Sequence, residues 1–158
     1  MLSTRLVELM ETHAEEIARA VLDKVRNDGR LSLFGRLPDR DLLMRFEDVC
    51  KRLSCWLSEG DEAELAEQYE TLGRMRYLEK IPLHEVVWAA LLVKQQLLRY
   101  AREHCYEQTA YEIHAEAELE RVVNGFFDKI VYHIVHGYQQ EQGSASTKER
   151  WEAAAASR

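Results

Sequence analysis

Glycine and proline are scarce in this sequence of 158 residues, which contains seven glycines and two prolines. A β-sandwich or barrel needs a turn about every 8–12 residues, and such turns depend largely on these two residue types. Their scarcity therefore argues against a many-stranded sheet. Hydrophobic residues make up 46% and charged residues 31% of the chain, which is typical of one globular domain and not of a disordered segment.

An excess of basic charge and long apolar runs are also absent. The formal net charge of −7 argues against a nucleic-acid partner, because phosphates attract basic proteins. The longest apolar run, Val86 to Val93, is far shorter than the roughly 20 residues that span a bilayer, so we expect no membrane partner. The three cysteines form no Cys-x-x-Cys pair, and the sequence shows no signal-peptide core. We therefore expect a cytoplasmic protein.

Hydrophobic periodicity and helix-ending residues predict five helices, and the chain shows no internal repeat. The first ends at Asn27-Asp28-Gly29, and Pro82 begins the fourth at a first-turn position. A connector at residues 31–37 is expected to place Leu33 and Phe34 in the core. The pattern predicts an all-α antiparallel bundle whose helices cover about residues 2–27, 40–58, 62–79, 82–105 and 110–140.

The fifth predicted helix, which ends near Gly143, is long for a compact domain. At ~1.5 Å per residue it is about 50 Å long, against a radius of gyration of ~15 Å for a domain of this size. Its apolar stripe is double width, which fits either a central core helix or a helix packed on a second copy of the chain. The second interpretation predicts a homodimer, with an interface that contains Phe126, Phe127, Ile130, Val131, Ile134 and Tyr138.

The chain divides into one helical domain and a tail. Residues 1–143 form the predicted domain, and residues 144–158 form a polar, helix-permissive tail or linker. Both a stand-alone protein and the N-terminal piece of a longer one are compatible with this division.

Sequence motifs of enzymes are missing. There is no GxSxG, P-loop, GxGxxG or HExxH pattern. His114 and Glu118, and likewise His133 and His136, have the spacing of neighbours on a helix, but a stable zinc site needs four ligands. We therefore predict no catalytic residues and no metal site.

Four polar side chains interrupt the apolar faces of the predicted helices: His13, Arg76, Lys94 and His133. Because an unpaired buried charge is costly, each needs a partner, solvent or a ligand. Glu85 is the expected partner of Arg76, Lys94 could reach solvent, and each histidine could be an ordinary core residue. The sharper hypothesis is that His13, Lys94 and His133 line a shared cavity. Such a cavity would suit an anionic amphiphile or, with a histidine as axial ligand, a haem.

The segment Leu72-Gly73-Arg74-Met75-Arg76, followed by Ile81-Pro82-Leu83-His84-Glu85-Val86, resembles the N-terminal sensor domain of RsbT co-antagonist proteins of the RsbR and RsbRD type. The stretch from Trp56 to Asp61 resembles the W-L-x-x-G-D turn of that family. The resemblance covers about residues 5–140, and related domains precede histidine kinases. It implies an all-helical, globin-like or bundle sensor domain that is dimeric, lacks enzymatic activity and commonly lacks haem. The residues that match the motif, with structural roles, are Gly73, Arg76, Pro82 and Glu85.

These observations together predict a cytoplasmic sensor domain of stress-response signal transduction. It would bind a small ligand or a protein partner and relay a signal through its C-terminal helix to a downstream signalling domain or protein. The alternative is a haem- or metal-binding helical protein of globin-like fold.

Overall fold

The computed structural model describes residues 4–59, 62–104 and 110–157. Within these ranges the chain is helical and contains no strand, which confirms the predicted all-α class. No described helix has a stretch long and apolar enough to cross a membrane. The helices are α1 (Thr4–Thr12), α2 (Ala14–Asn27), α3 (Asp39–Glu59), α4 (Glu62–Leu78), α5 (Leu83–His104) and α6 (Ala110–Ala156). Residues 60 and 61 of the W-L-x-x-G-D turn lie outside the described ranges.

The first predicted helix is divided in two at His13. The backbone there has φ −105° and ψ 20°, which lies outside the α-helical region. Hydrogen bonds nevertheless continue through the junction, from His13 N–H to Leu9 C=O and from Ile17 N–H to His13 C=O, each at 3.0 Å. The division is therefore a local kink, and nothing in the helical periodicity indicates it.

The connector between α2 and α3 contains a 3₁₀ turn at Phe34–Arg36. As predicted, Phe34 is buried in the core, and Leu31 is buried beside it. The prediction was wrong for Leu33, which is 41% exposed. Its backbone N–H, and not its side chain, holds the connector in place, as described below.

Helix α6 does not end near Gly143. It contains 47 residues and is therefore about 70 Å long. Gly143 lies in open space on an exposed part of the helix, and the strong helix formers that follow, including Ala153 to Ala156, offset its poor helix propensity. Residues 144–156 thus continue the helix without a break. Their role as a linker remains a prediction.

The double-width stripe of α6 is accounted for inside one chain. Helices α4 and α5 both pack against α6, and their contacts bury five of the six residues predicted at a dimer interface: Phe126, Phe127, Ile130, Ile134 and Tyr138. Only Val131 is partly exposed. These five side chains therefore belong to the core of a single chain, and the homodimer remains a prediction.

Helices α4 and α6 cross with almost no side chain between their backbones. A Cβ atom on Gly137 would lie 2.0 Å from the carbonyl oxygen of Glu70, and one on Gly73 would lie 2.1 Å from that of Ile134. Lys129 contacts Glu62 and Tyr77 packs against Tyr138, so the two helices run in the same direction. Glycine is required at both positions because no larger residue fits between the backbones.

We predict opposite effects for alanine at two glycines of α6. Gly143→Ala meets no neighbour and should stabilise the fold by about 0.5–1 kcal/mol through helix propensity. Gly137→Ala should destabilise it by about 1–3 kcal/mol or more, because the new methyl group forces the α4 backbone away. Urea unfolding of both variants measures the difference. Equal stabilisation by the two substitutions would show that the close crossing is wrong.

Candidate functional site

The turn between α4 and α5 is fixed by the backbone. Lys80 adopts φ 61°, its N–H donates to Tyr77 C=O, and Ile81 N–H donates to Arg76 C=O. This is the pattern with which many helices end. Pro82 directly precedes α5, and its carbonyl accepts from the N–H groups of Glu85 and Val86 in the first turn of that helix. The Tyr138 hydroxyl donates to Ile81 C=O at 2.8 Å, so α6 is attached to the same turn.

Glu85 binds the connector between α2 and α3. The predicted pairing of Glu85 with Arg76 was therefore wrong. Its carboxylate, only 2% exposed, accepts from Phe34 N–H at 2.9 Å, Leu33 N–H at 3.2 Å and the Ser32 hydroxyl at 3.0 Å. Burial alone raises the pKa of Glu85, but these donors outweigh it and hold the pKa below its ordinary value. The carboxylate thus satisfies backbone donors that the connector leaves unpaired.

Arg76 is buried and pairs with Glu79, the residue that follows the end of α4. Its Nη1 lies 2.7 Å from Glu79 Oε2, and its guanidinium carbon lies 5.5 Å from the centre of the Phe34 ring. The ion pair and the cation–π contact together compensate the burial of this charge. The motif residues Gly73, Arg76, Pro82 and Glu85 therefore join α4, α5, α6 and the connector.

A cavity of about 60 Å³ lies where these elements meet. Helices α3, α4, α5 and α6 and the 3₁₀ turn all contribute to its wall. Most of the wall is apolar, and α6 supplies three of its members. The apolar residues include Phe34, Phe46, Val49, Leu72, Val93, Phe127, Ile130 and Ile134, and the polar residues are Arg45, Asp48, Gln68, Tyr69 and Arg76.

Two polar atoms at this cavity lack hydrogen bonds. The Tyr69 hydroxyl and Gln68 Oε1 are both buried without a partner in the structure, although buried polar groups are normally paired. Tyr69 is only 2% exposed, and burial raises the pKa of its hydroxyl. The hydroxyl is therefore protonated at neutral pH and is a buried donor without an acceptor among the described residues.

The three residues of the predicted site lie elsewhere. His13 Nδ1 pairs with Glu16 at 3.1 Å, and its ring packs near Tyr100. Lys94 is half-buried on α5, and none of the three lines the cavity described above. A cavity shared by His13, Lys94 and His133 thus remains a prediction, while the cavity at Tyr69 is the better-defined site.

His133 faces carboxylates of α4. Its Nδ1 lies 3.6 Å from Glu70 Oε1 and its Nε2 lies 4.0 Å from Glu62 Oε1, while His136 Nδ1 lies 2.9 Å from Glu70 Oε1. The contact with His136 is the main reason why the pKa of Glu70 lies below its ordinary value. These contacts join α4 to α6. In the described part of the chain, no group of three or more side chains is arranged to hold a metal.

The residues at the cavity do not fit a haem. Among the described residues, its wall contains no histidine, cysteine or methionine, although such side chains are the usual axial ligands. Its volume is also well below the roughly 300 Å³ at which ligand pockets begin. The haem alternative therefore has no support at this site.

The cavity could not be predicted from the sequence, for a specific reason. Tyr69 lies in the apolar stripe of α4, and a tyrosine there reads as an ordinary core residue because its ring packs like that of phenylalanine. Arg45 on α3 likewise reads as a surface residue. Nothing in the sequence predicts that α3 and α4 meet at these positions. Arg76, which the sequence did single out as a polar residue on an apolar helix face, lies in the cavity wall.

The geometry defines a helical bundle with a small, partly open cavity and a projecting C-terminal helix. Residues 12–152 match the family described as the RsbT co-antagonist protein rsbRD N-terminal domain. The match covers most of the chain, so the chain belongs to this family and is a regulatory domain of stress signalling. Comparisons with curated proteins and with solved structures return no match.

We predict that Glu85→Gln lowers the stability at neutral pH by about 1.5–3 kcal/mol, because it removes the charge that the connector donors bind. The pKa of Glu85 is lowered on folding, so its contribution is complete above its ordinary value of 4.5 and is lost as the pH falls through the folded value. The difference between wild type and variant should therefore shrink below pH 4.5. Chemical denaturation at several pH values measures it.

Glu67→Gln is the matched control, because Glu67 is exposed on α4 and should leave stability within about 0.5 kcal/mol. A Glu85→Gln variant as stable as this control would show that the carboxylate does not hold the connector.

Proposed function

We propose that this domain senses a small ligand or a protein partner through the packing around its cavity and relays the result along α6 to a downstream signalling domain or protein. One observation carries the proposal: a single uninterrupted helix forms part of the cavity wall at Phe127, Ile130 and Ile134 and continues to Ala156. A change in packing at the wall thus acts on the same rigid element that projects from the bundle.

The projecting part of α6 is suited to transmission. Residues 139–156 extend about 27 Å beyond the core and are mostly exposed, with Trp151 74% exposed. In the described part of the chain, the hydrogen bonds and ion pairs of these residues stay within α6. This segment therefore has its polar surface available for a downstream element.

The close crossing of α4 and α6 supports a discrete response. Because Gly73 and Gly137 bring the two backbones into direct contact, α6 cannot shift by small degrees against α4 without a clash. Packed interfaces of this kind change between distinct arrangements. A stimulus that favours one arrangement would shift the population toward it.

We predict that filling the cavity changes the behaviour of the projecting helix. Ala90 lines the cavity, and Ala90→Val adds two methyl groups there. Amide hydrogen exchange measured by mass spectrometry should then change by about fivefold or more across residues 139–156, which corresponds to ~1 kcal/mol in local opening.

Ala117→Val is the matched control. Ala117 is exposed on α6, so this substitution makes the same chemical change outside the cavity. A change in exchange at the cavity wall without one at residues 139–156 would contradict the relay.

We also propose that the domain forms a homodimer, and the burial of residues on α6 decides which substitution can test it. Ile130 is 2% exposed inside one chain, so a charge there would unfold the domain and report nothing about association. Val131 is partly exposed and Tyr132 is 64% exposed on the same helix. We predict that the wild-type chain sediments as a dimer at ~50 µM and that Val131→Glu weakens the association. A wild-type species of 18.5 kDa at that concentration would contradict the dimer.

A further inference from the structure

His133 is a buried histidine whose ring faces two carboxylates of the neighbouring helix. The residue is 8% exposed, and its Nδ1 has no hydrogen-bond partner in the described part of the chain. On the side of α4, Nδ1 lies 3.6 Å from Glu70 Oε1 and Nε2 lies 4.0 Å from Glu62 Oε1. Both distances exceed the length of a hydrogen bond, about 2.7–3.2 Å, so the ring and the two carboxylates are close without being bonded.

A neutral imidazole does not match this arrangement. It has one N–H group and one nitrogen without a proton, whichever tautomer is present. One ring nitrogen of neutral His133 therefore always presents a lone pair to a carboxylate oxygen, which is an acceptor facing an acceptor. A protonated ring has two N–H donors instead, one for Glu70 and one for Glu62. The arrangement is thus complementary to the charged form of the residue.

The two carboxylates keep their charge over the range in which a histidine titrates. A hydrogen bond from Lys129 lowers the pKa of Glu62. A hydrogen bond from His136 lowers the pKa of Glu70. Both acids are therefore ionised between about pH 5 and pH 8, where histidine side chains change charge.

The surroundings of the ring add no further carboxylate. On α6 the charged or titratable neighbours are Lys129, His136 and Tyr132, whose ring packs edge-on against His133. Within the described ranges, α3 and α5 place no charged group in contact with the ring. The charge state of His133 therefore acts mainly on α4.

Glu70 connects this cluster to the crossing of α4 and α6. Its main-chain carbonyl is the atom that lies against Gly137, one helical turn after His133. The residue whose carboxylate faces the ring thus also provides the backbone contact of the crossing. Attraction between the ring and this carboxylate therefore acts on the crossing itself and not on a distant surface.

We propose that His133 is a proton-binding site that makes the crossing of α4 and α6 sensitive to pH. Protonation of the ring adds two charge-assisted contacts from α6 to α4. These contacts exist only in the folded state and only for the charged ring, so they are present at low pH and are lost as the pH rises. This input goes beyond the proposed function, because it requires neither a ligand nor a partner at the cavity.

Chemical denaturation of the whole chain between about pH 5.5 and pH 8 tests the proposal with His133→Gln, which keeps a polar side chain that cannot be charged. On going from the upper to the lower pH, the stability of the wild type relative to the variant should rise by about tenfold in the unfolding equilibrium constant. This is the size expected for a close pair of opposite charges. His114→Gln is the matched control, because His114 is exposed on α6, and it should show no such rise.

NMR of the histidine rings in the unaltered chain follows the same event without a substitution. As the pH falls, both ring nitrogens of His133 should become protonated, and the resonances of Glu62 and Glu70 should shift with the same midpoint. Glu70→Gln should remove the coupled shift of α4, because the carboxylate that faces Nδ1 is gone. A ring that titrates without any coupled shift of α4 would contradict the proposal.

The remaining outcomes separate this inference from the relay. The proposal is overturned if the relative stability of wild type and His133→Gln is the same at both ends of the pH range. It is also overturned if His136→Gln removes the dependence on pH and His133→Gln does not. A response to pH at the crossing without a change in amide exchange at residues 139–156 upholds the proposal and contradicts only the relay.

Discussion

The contact between the backbones of α4 and α6 is the constraint on which the other features depend. With glycine at 73 and 137, the two helices lie against each other without an intervening side chain. This places Tyr138 within reach of the Ile81 carbonyl, and it brings Ile130 and Ile134 to the cavity that Tyr69 also lines. A larger residue at either glycine would displace all three features together, since they share one rigid helix.

The motif that the sequence resemblance singles out has a common physical purpose. Glu85 compensates backbone donors of the connector, and Arg76 contacts Phe34 of the same connector. Pro82 lies directly before α5, after the turn to which Tyr138 donates a hydrogen bond. A polar turn and a connector would otherwise leave unpaired groups beside the core. The family motif therefore secures the part of the bundle around the cavity.

Prediction from the sequence succeeded where the signal is local and failed where it depends on helices meeting. The apolar periodicity and the helix-ending residues predicted the bounds of α3, α4 and α5 to within about two residues, because these signals act within a single helix. The stripe of α6 was recognised, but its width was ambiguous. Helices α4 and α5 of the same chain both pack on α6, and a sequence pattern cannot distinguish two such helices from a second copy of the chain. Arg45 and Tyr69 were missed because their significance arises only when α3 lies beside α4.

The size of the cavity bears on what kind of sensor this domain can be. A ligand shifts an equilibrium only by its differential affinity for the two states, and a molecule of a few atoms contributes little apolar area. Most of its discrimination must therefore come from hydrogen bonds to the polar groups of the wall. The polar residues of the wall lie on α3 and α4, while α6 supplies Phe127, Ile130 and Ile134 to the same cavity. Occupancy would thus act on α6 through packing, and the glycine crossing would convert a small displacement at the wall into a movement of the whole helix.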